Sequence, residues 1–175
     1  TDIAWFQTRL GELGIRERVD LHSVDVCHGD SLPPPSDFQA IVIGGSYHMV
    51  SERRVWQLAL LDWLAAVRAS ERPLFGICGG HQLMAPWFGA RVEALPDAPC
   101  AGSYTVRHTD AGRHHWLFEF VDEDTRFQFG NYEHVASIPA GATALAVRDD
   151  SPAQALDYGG EWVSVQFHPE MSAEA

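Results

Sequence analysis

Cys78 is the residue whose neighbours first indicate chemistry. It lies in the stretch FGICGGHQ (residues 75–82), between an apolar run and a helical pattern. A cysteine at a turn from strand to helix faces the positive end of the helix dipole, which favours the nucleophilic thiolate. Gly76, Gly79 and Gly80 are the small neighbours that the strained backbone of a nucleophile elbow requires. Taken alone, the stretch fits a buried structural cysteine equally well.

His168 and Glu170 supply the partners that a thiol nucleophile needs. They lie in VQFHPE (residues 165–170), where alternation places both side chains on one side of an extended segment that Pro169 keeps out of a helix. The carboxylate can orient the imidazole and stabilise its cation while the other ring nitrogen meets the thiol. We therefore predict Cys78 as the nucleophile, His168 as the acid and base, and Glu170 as the orienting group.

A double glycine, Gly44 and Gly45, ends the apolar run of IVIGGSYH (residues 41–48). Backbone N–H groups at such a turn can stabilise the negative oxygen of a tetrahedral intermediate. We predict that the N–H groups of Gly45 and Gly79 form this oxyanion hole. The alternative is a glycine turn that only ends a strand.

Together these stretches resemble the class I glutamine amidotransferase domain, whose catalytic parts are a G-x-C-x-G-x-Q elbow, a Gly-Gly turn and a terminal Q-F-H-P-E. Residues 76–82 and 166–170 match the two longer motifs without a gap, and the resemblance covers nearly the whole chain. It implies that Cys78 attacks the side-chain amide carbon of glutamine and that His168 gives a proton to the departing ammonia. Water activated by His168 would then hydrolyse the γ-glutamyl thioester to glutamate.

The resemblance also implies which residues contact the substrate. They are Gln82 at the start of a helix, Gly44 in the double glycine, and Asn131 and Tyr132 in a loop. In that loop Gly130 and Asn131 stand where the family usually has a Ser-His pair. A γ-glutamyl compound other than glutamine therefore stays open as the substrate.

Two further positions depart from the family pattern. Gly79 replaces a bulkier apolar residue after the nucleophile, which predicts a looser elbow. Ser46 replaces the proline that usually follows the double glycine, which predicts a more mobile turn. We interpret His81, next to the nucleophile, as a residue of helix packing.

The first ninety residues predict the elements that must position these groups. Hydrophobic periodicity, β-branched runs and glycine or proline stops distinguish helices from strands. The predicted helices are residues 2–13, 51–69 and 80–87, and the predicted strands are residues 19–27, 40–45 and 73–78. This alternation is typical of parallel strands joined by crossover helices. We predict an α/β fold with a flavodoxin-like open sheet of mostly parallel strands flanked by helices.

Beyond residue 90 the pattern changes to short strands, among them SYTVRH (residues 103–108), separated by proline and glycine turns. The stretch Tyr158-Gly159-Gly160-Glu161 predicts a hairpin with a two-residue turn. We expect an antiparallel β section added to the C-terminal half, within a single domain over residues 1–175. Such a fold normally begins with a strand, so an N-terminal strand and a C-terminal helix could lie beyond the given chain.

The composition limits the classes of partner. The chain has 175 residues, of which 46% are hydrophobic, and a formal net charge of −12. Such acidity disfavours nucleic acid and an anionic membrane surface as partners. No apolar run approaches the length of a membrane span, and three distant cysteines fit neither a disulfide framework nor a CxxC metal site. We expect a reducing, cytoplasmic setting.

Other nucleophilic or metal-binding side chains form no complete pattern in the sequence. Cys27 and Cys100 have no evident base nearby, and we interpret both as structural or incidental. His108, His114 and His115 lack a carboxylate or cysteine at metal-ligand spacing, which favours an exposed loop. We therefore predict no metal and no cofactor.

Three functions stay open. The first is glutamine hydrolysis with ammonia passed to a synthetase partner or a missing fused domain, because the chain has no G-x-x-x-x-G-K-[ST] loop for ATP. The second is a stand-alone γ-glutamyl hydrolase with the same catalytic residues, which the altered substrate loop favours. The third is a non-catalytic regulator with the same fold, against which the intact Cys78, His168 and Glu170 argue.

Overall fold

The computed structural model describes residues 3–96 and 99–171. Within these ranges the α-helices are α1 (Ile3–Glu12), α2 (Val55–Ala69), α3 (Gly79–Trp87) and α4 (Asp110–Arg113). In the same ranges, no helix combines the length and the apolar character that crossing a bilayer requires.

The strands are short and most lie in the second half of the chain. They are β1 (Ile41–Ile43), β2 (Leu74–Ile77), β3 (Val92–Ala94), β4 (Cys100–Thr105), β5 (Arg107–His108), β6 (Arg126–Asn131), β7 (Glu133–Val135), β8 (Thr143–Arg148), β9 (Ser151–Asp157) and β10 (Trp162–Val165). A six-stranded sheet has the order β1-β2-β10-β9-β8-β5. Two smaller antiparallel pairs, β3 with β7 and β4 with β6, accompany it.

The central sheet changes direction at β10. Strands β1, β2 and β10 are parallel, whereas β10, β9, β8 and β5 continue the sheet in antiparallel pairs. Although β10 comes last in the sequence, it lies between β2 and β9. This arrangement confirms the predicted α/β fold, with parallel strands flanked by helices and an antiparallel section in the C-terminal half.

Both faces of the central strands are covered, which explains their nearly continuous apolar sequences. In β10 every residue is buried. Trp162 packs with Leu64 of α2 and Met84 of α3. Val163, on the opposite face, packs in a second cluster with Phe129 of β6. The strand that leads into the predicted catalytic histidine is therefore fixed from both sides.

The prediction of a strand at residues 19–27 is wrong. This stretch has no regular structure before a short 3-10 helix at Val26–His28. Val19 and Leu21 are exposed, and within the described residues β1 has a strand neighbour only on the β2 side. A β-branched run forms a strand only where a partner supplies hydrogen bonds and a surface to pack on.

The helix predicted over residues 51–69 is divided. Val50–Glu52 forms a 3-10 helix, and Arg53 then adopts a left-handed conformation with φ of 48°. The α-helix begins only at Val55, where the side chain of Gln57 accepts a hydrogen bond from the Arg54 N–H at 2.7 Å.

Two further predictions in the C-terminal half are corrected. Residues 103–108 form parts of two strands in different sheets, with buried Val106 between them. The hairpin after β9 has a three-residue loop rather than two, because the Tyr158 N–H donates to the Trp162 carbonyl. Its loop residues all have positive φ: Gly159, Gly160 and Glu161.

Candidate active site

Cys78 lies at the junction of β2 and α3 in a strained conformation. Its φ of 49° and ψ of −100° are unusual for a residue with a side chain, and such backbone costs about 1–3 kcal/mol. Two hydrogen bonds hold it: the Cys78 N–H donates to Val165 O at 2.8 Å, and its carbonyl accepts from the Gln82 N–H at 3.0 Å. The side chain of Cys78 thus lies at the first turn of a helix, and the residue is 4% exposed.

The glycines around Cys78 are required by close packing of α3 on the sheet. A Cβ added to Gly80 would lie 2.1 Å from the carbonyl oxygen of Ile43, and one added to Gly76 would lie 2.5 Å from the sulfur of Met84. The Gly80 N–H also donates to Gly44 O at 3.1 Å. The helix therefore lies directly against the end of β1, which brings the double glycine to the elbow.

His168 and Glu170 lie side by side, as the sequence predicts, and both are buried. The prediction that this segment is extended is wrong at residues 169–170, which form a turn closed by the Met171 N–H donating to the His168 carbonyl at 3.4 Å. The Nδ1 atom of His168 donates to Oε1 of Glu170 at 2.7 Å, and the His168 N–H donates to Gln128 O at 2.9 Å. Burial alone lowers the pKa of His168, but the neighbouring Cys78 sulfur and the hydrogen bond to Glu170 outweigh it and raise the pKa to about 10. The imidazole and the carboxylate thus form one hydrogen-bonded pair, and Cys78 is near enough to raise the pKa of the same ring.

Gly45 lies beside both reactive side chains. A Cβ added to it would lie 2.9 Å from Cε1 of His168 and 3.7 Å from Cβ of Cys78. Gly79 approaches the same turn, since its added Cβ would lie 2.9 Å from the nitrogen of Ser46. The absence of a side chain at residue 79 therefore lets the double-glycine turn lie in contact with the elbow.

The predicted substrate residues Gln82 and Asn131 are both buried next to this centre. The amide nitrogen of Gln82 donates to Glu133 O at 2.6 Å and to Oε1 of Gln166 at 3.0 Å. Asn131 donates to the same Glu133 carbonyl at 2.8 Å, and its own Oδ1 is buried without a hydrogen-bond partner. Tyr132, in contrast, is exposed.

Gly44 is surrounded by more space than Gly45. A Cβ added to Gly44 would meet no heavy atom within 4 Å. This is the property expected of a glycine that faces an open cleft rather than a packed core.

Glu133 and Gln166 are two residues of the site that the sequence analysis missed. The carboxylate of buried Glu133 accepts hydrogen bonds from the N–H groups of Val50 at 2.8 Å and Ser51 at 3.3 Å. Gln166 extends its amide nitrogen towards the sulfur of Cys78 at 3.7 Å. An acidic residue inside the predicted substrate loop, and a glutamine two residues before the predicted catalytic histidine, were the available signals.

His81 confirms its interpretation as a packing residue. It is fully buried, with Nδ1 2.7 Å from the hydroxyl of Ser164 and Nε2 3.0 Å from the carbonyl of Ala153. Burial lowers the pKa of His81 to about 4, against which its contact with Ala153 acts weakly. His108, expected in an exposed loop, is also buried, and its ring centroid lies 4.2 Å from that of Phe118.

Comparison with known proteins identifies relatives of this arrangement. The family model named glutamine amidotransferase class-I matches residues 7–175. One subunit of the glutamine-hydrolyzing GMP synthase from Halobacterium salinarum is 30% identical over 156 residues, which cover 87% of this chain and 79% of that protein.

Two other proteins show how far the likeness extends. Gamma-glutamyl peptidase 4 from Arabidopsis thaliana is 25% identical over 139 residues, which cover 78% of this chain and 55% of the peptidase. The crystal structure of a glutamine amidotransferase from Thermotoga maritima has a TM-score of 0.83 at 23% identity, covering 94% of this chain and 71% of that one. At this identity the structural likeness establishes the fold.

Proposed function

The chain belongs to the class I glutamine amidotransferase family, and on that premise we propose that it hydrolyses the side-chain amide of glutamine and passes the ammonia to a synthetase partner. Cys78 is the nucleophile. Its thiolate attacks the amide carbon and forms a tetrahedral intermediate with a negatively charged oxygen. The N–H groups of Gly45 and Gly79 are the donors for that oxygen, because both glycines lie against the elbow.

His168 acts first as an acid and then as a base. Since its pKa is raised to about 10, the imidazole is cationic at neutral pH and can protonate the nitrogen as the carbon–nitrogen bond breaks. Ammonia leaves, and a γ-glutamyl thioester remains on Cys78. The neutral imidazole then takes a proton from the water that cleaves the thioester, which releases glutamate and restores the thiolate and the imidazolium. Glu170 holds the ring throughout through its bond to Nδ1.

Asn131 and the space beside Gly44 are assigned to substrate binding. The unpartnered Oδ1 of Asn131 is a buried acceptor, and buried acceptors normally find a donor. The α-ammonium group of a glutamyl substrate is such a donor. Gln82 supports the site indirectly by holding the Glu133 carbonyl and Gln166, while Tyr132 lies at the exposed rim.

The observation that carries this proposal is that three distant segments converge on Gly45, beside which both Cys78 and His168 lie. A glutamine-like electrophile should therefore form a covalent adduct on Cys78, measured as a mass increase of the intact protein. The adduct should be lost in Cys78→Ala and retained in Cys100→Ala, and glutamine should slow its formation. An adduct that glutamine does not slow would contradict a glutamine site.

Transfer of the ammonia to a synthetase is the finer part of the proposal. It is supported by the 30% identical relative, which is one component of a glutamine-hydrolyzing GMP synthase. With a candidate synthetase present, nitrogen from amide-labelled glutamine should appear in the aminated product, and Cys78→Ala should prevent this. The unpaired state of all three cysteines supports a reducing, cytoplasmic setting for this chain and its synthetase partner.

Hydrolysis of a γ-glutamyl peptide is the second candidate function. It is favoured by Gly130 and Asn131, which replace the usual Ser-His pair, and by the 25% identical peptidase. Comparing kcat/KM for glutamine and for a γ-glutamyl dipeptide distinguishes the two. A preference for the dipeptide that persists when the synthetase is present would favour the peptidase.

A further inference from the structure

Three side chains with metal-binding atoms meet at an exposed turn that shares no residue with the active site. They are Asp25, Cys27 and His28, on the 3-10 helix Val26–His28 and the residue before it. The Cys27 sulfur lies 3.1 Å from Oδ1 of Asp25 and 3.3 Å from Nδ1 of His28. The same His28 nitrogen lies 2.9 Å from Oδ2 of Asp25. The expectation that Cys27 has no base nearby is therefore wrong.

The backbone explains why three side chains so close in sequence point to one place. The His28 N–H donates to the Asp25 carbonyl at 3.1 Å, which closes a tight turn. Gly29 continues it in a left-handed conformation with φ of 107°. The carboxylate of Asp30 then accepts a hydrogen bond from the Asp25 N–H at 2.8 Å. The turn is thus closed on both sides before any ligand is bound.

We propose that Asp25, Cys27 and His28 bind one borderline-soft divalent cation of the Zn²⁺ class. In a tetrahedral zinc site the metal–ligand bonds are about 2.0–2.3 Å, so that neighbouring ligand atoms are about 3.3–3.5 Å apart. The three atoms in this turn are separated by 2.9, 3.1 and 3.3 Å. An ion can therefore enter when each pair moves apart by a few tenths of an ångström.

The chemistry of the three ligands selects the class of metal. Thiolate and imidazole favour Zn²⁺ and similar first-row ions over Mg²⁺ and Ca²⁺, which prefer all-oxygen sites. In the metal-free protein the Cys27 thiol donates a hydrogen bond to Asp25. On binding, the sulfur forms a bond to the metal and the thiol proton passes to solvent. No electron transfer is involved. Because all three residues are exposed, the fourth position is accessible to water.

Cobalt titration of the whole chain tests this site, because a cobalt–thiolate bond gives a near-ultraviolet charge-transfer band. The Cys78→Ala background removes the active-site thiol as a competing ligand. In that background we expect one Co²⁺ per chain and a band that Zn²⁺ displaces. Cys27→Ser should abolish the band, whereas Cys100→Ala should leave it unchanged. His28→Ala and Asp25→Asn should each weaken Co²⁺ affinity by roughly tenfold or more.

Two results would overturn the proposal. The first is a titration in which no charge-transfer band develops. The second is a band that survives Cys27→Ser or is lost in Cys100→Ala, since the thiolate ligand would then be elsewhere. Asp25, Cys27 and His28 are exposed, so we expect their variants to keep the far-ultraviolet circular dichroism of the protein in which each change is made. Glutamine hydrolysis by Cys27→Ser, with Cys78 intact and no metal added, should equal that of the parent protein.

Discussion

The α-carbon of Gly45 lies so close to His168 that a Cβ on it would be 2.9 Å from the imidazole Cε1. A side chain at residue 45 would therefore displace the imidazole, because heavy atoms do not approach to that distance without displacement. The glycine thus has a steric role at the centre in addition to any role of its N–H group.

Gly45→Ala should therefore lower kcat for glutamine hydrolysis by about 100-fold, because a small displacement of a catalytic group has an effect of this order. Gly44→Ala is the matched comparison, since its methyl group would meet nothing within 4 Å and should have a smaller effect on kcat. Steady-state kinetics and the rate of Cys78 labelling provide two measurements. Equal losses in both variants would show that the contact with His168 is not the cause.

Gly80→Ala should reduce the stability of the fold. Its Cβ would lie 2.1 Å from the Ile43 carbonyl oxygen, so α3 and β1 must separate. Overpacking of this kind costs about 1–3 kcal/mol in the free energy of unfolding, measured by urea denaturation. Gly11→Ala in α1 is the control: its Cβ meets no atom within 4 Å, and it should stabilise the chain by about 0.5–1 kcal/mol.

The catalytic motifs and the α/β alternation could be predicted because they depend on local sequence. A strained elbow needs glycines and a buried parallel strand needs an apolar run; both are readable within ten residues. The H-P-E stretch, predicted to be extended, instead turns after His168. The prediction of one domain over residues 1–175, and the roles of the site residues, stay predictions.

The rest depended on contacts distant in sequence. Residues 19–27 have β-branched composition but no described neighbour to pair with, so composition alone gave a wrong prediction of a strand. Glu133 is a positioning residue only because Val50 and Ser51, 83 and 82 residues earlier in the chain, present their N–H groups to it. Tertiary partners of this kind leave no periodic pattern in a single sequence.

Glu133→Ala should weaken substrate binding more than it slows the chemical step. Its loss leaves the partly exposed N–H groups of Val50 and Ser51 without their acceptor, at a cost of about 0.5–1.5 kcal/mol per hydrogen bond. The strand whose carbonyl holds Gln82 and Asn131 would then shift, which raises KM. Glu133→Gln keeps an acceptor oxygen and should recover much of the affinity. No recovery in Glu133→Gln would mean that the charge, rather than the hydrogen bonds, matters.

The raised pKa of His168 predicts how stability depends on alkaline pH. The folded pKa of about 10 lies above the ordinary histidine value of 6.5, so the folded state binds the proton more tightly. The resulting stabilisation is complete below pH 6.5 and is lost as pH rises towards 10. In Glu170→Gln, unfolding free energies measured over this range should fall less steeply, because one source of the shift is removed. A slope equal to that of the unaltered chain would contradict the role of Glu170.

His81 predicts the opposite dependence on the acid side. Its pKa is lowered from 6.5 to about 4, so the unfolded chain binds the proton more tightly and stability falls as pH decreases between these values. At about 1.4 kcal/mol per pKa unit, the loss is about 3 kcal/mol. His81→Gln should lower the free energy of unfolding at neutral pH. Measured by urea denaturation, this free energy should also fall less steeply between pH 6.5 and 4 than in the unaltered chain. An equally steep fall in the variant would mean that groups other than His81 cause the loss of stability at acid pH.

Cys78 follows β2 and His168 follows β10, two neighbouring parallel strands separated in the sequence by the whole antiparallel section. Closing such a long segment costs chain entropy before any contact compensates for it, so pairing of β2 with β10 is expected to be a slow step of folding. No fragment that ends before β10 can contain the predicted catalytic pair. During refolding, the return of Cys78 labelling would therefore report the completion of the chain topology, later than the return of helical circular dichroism.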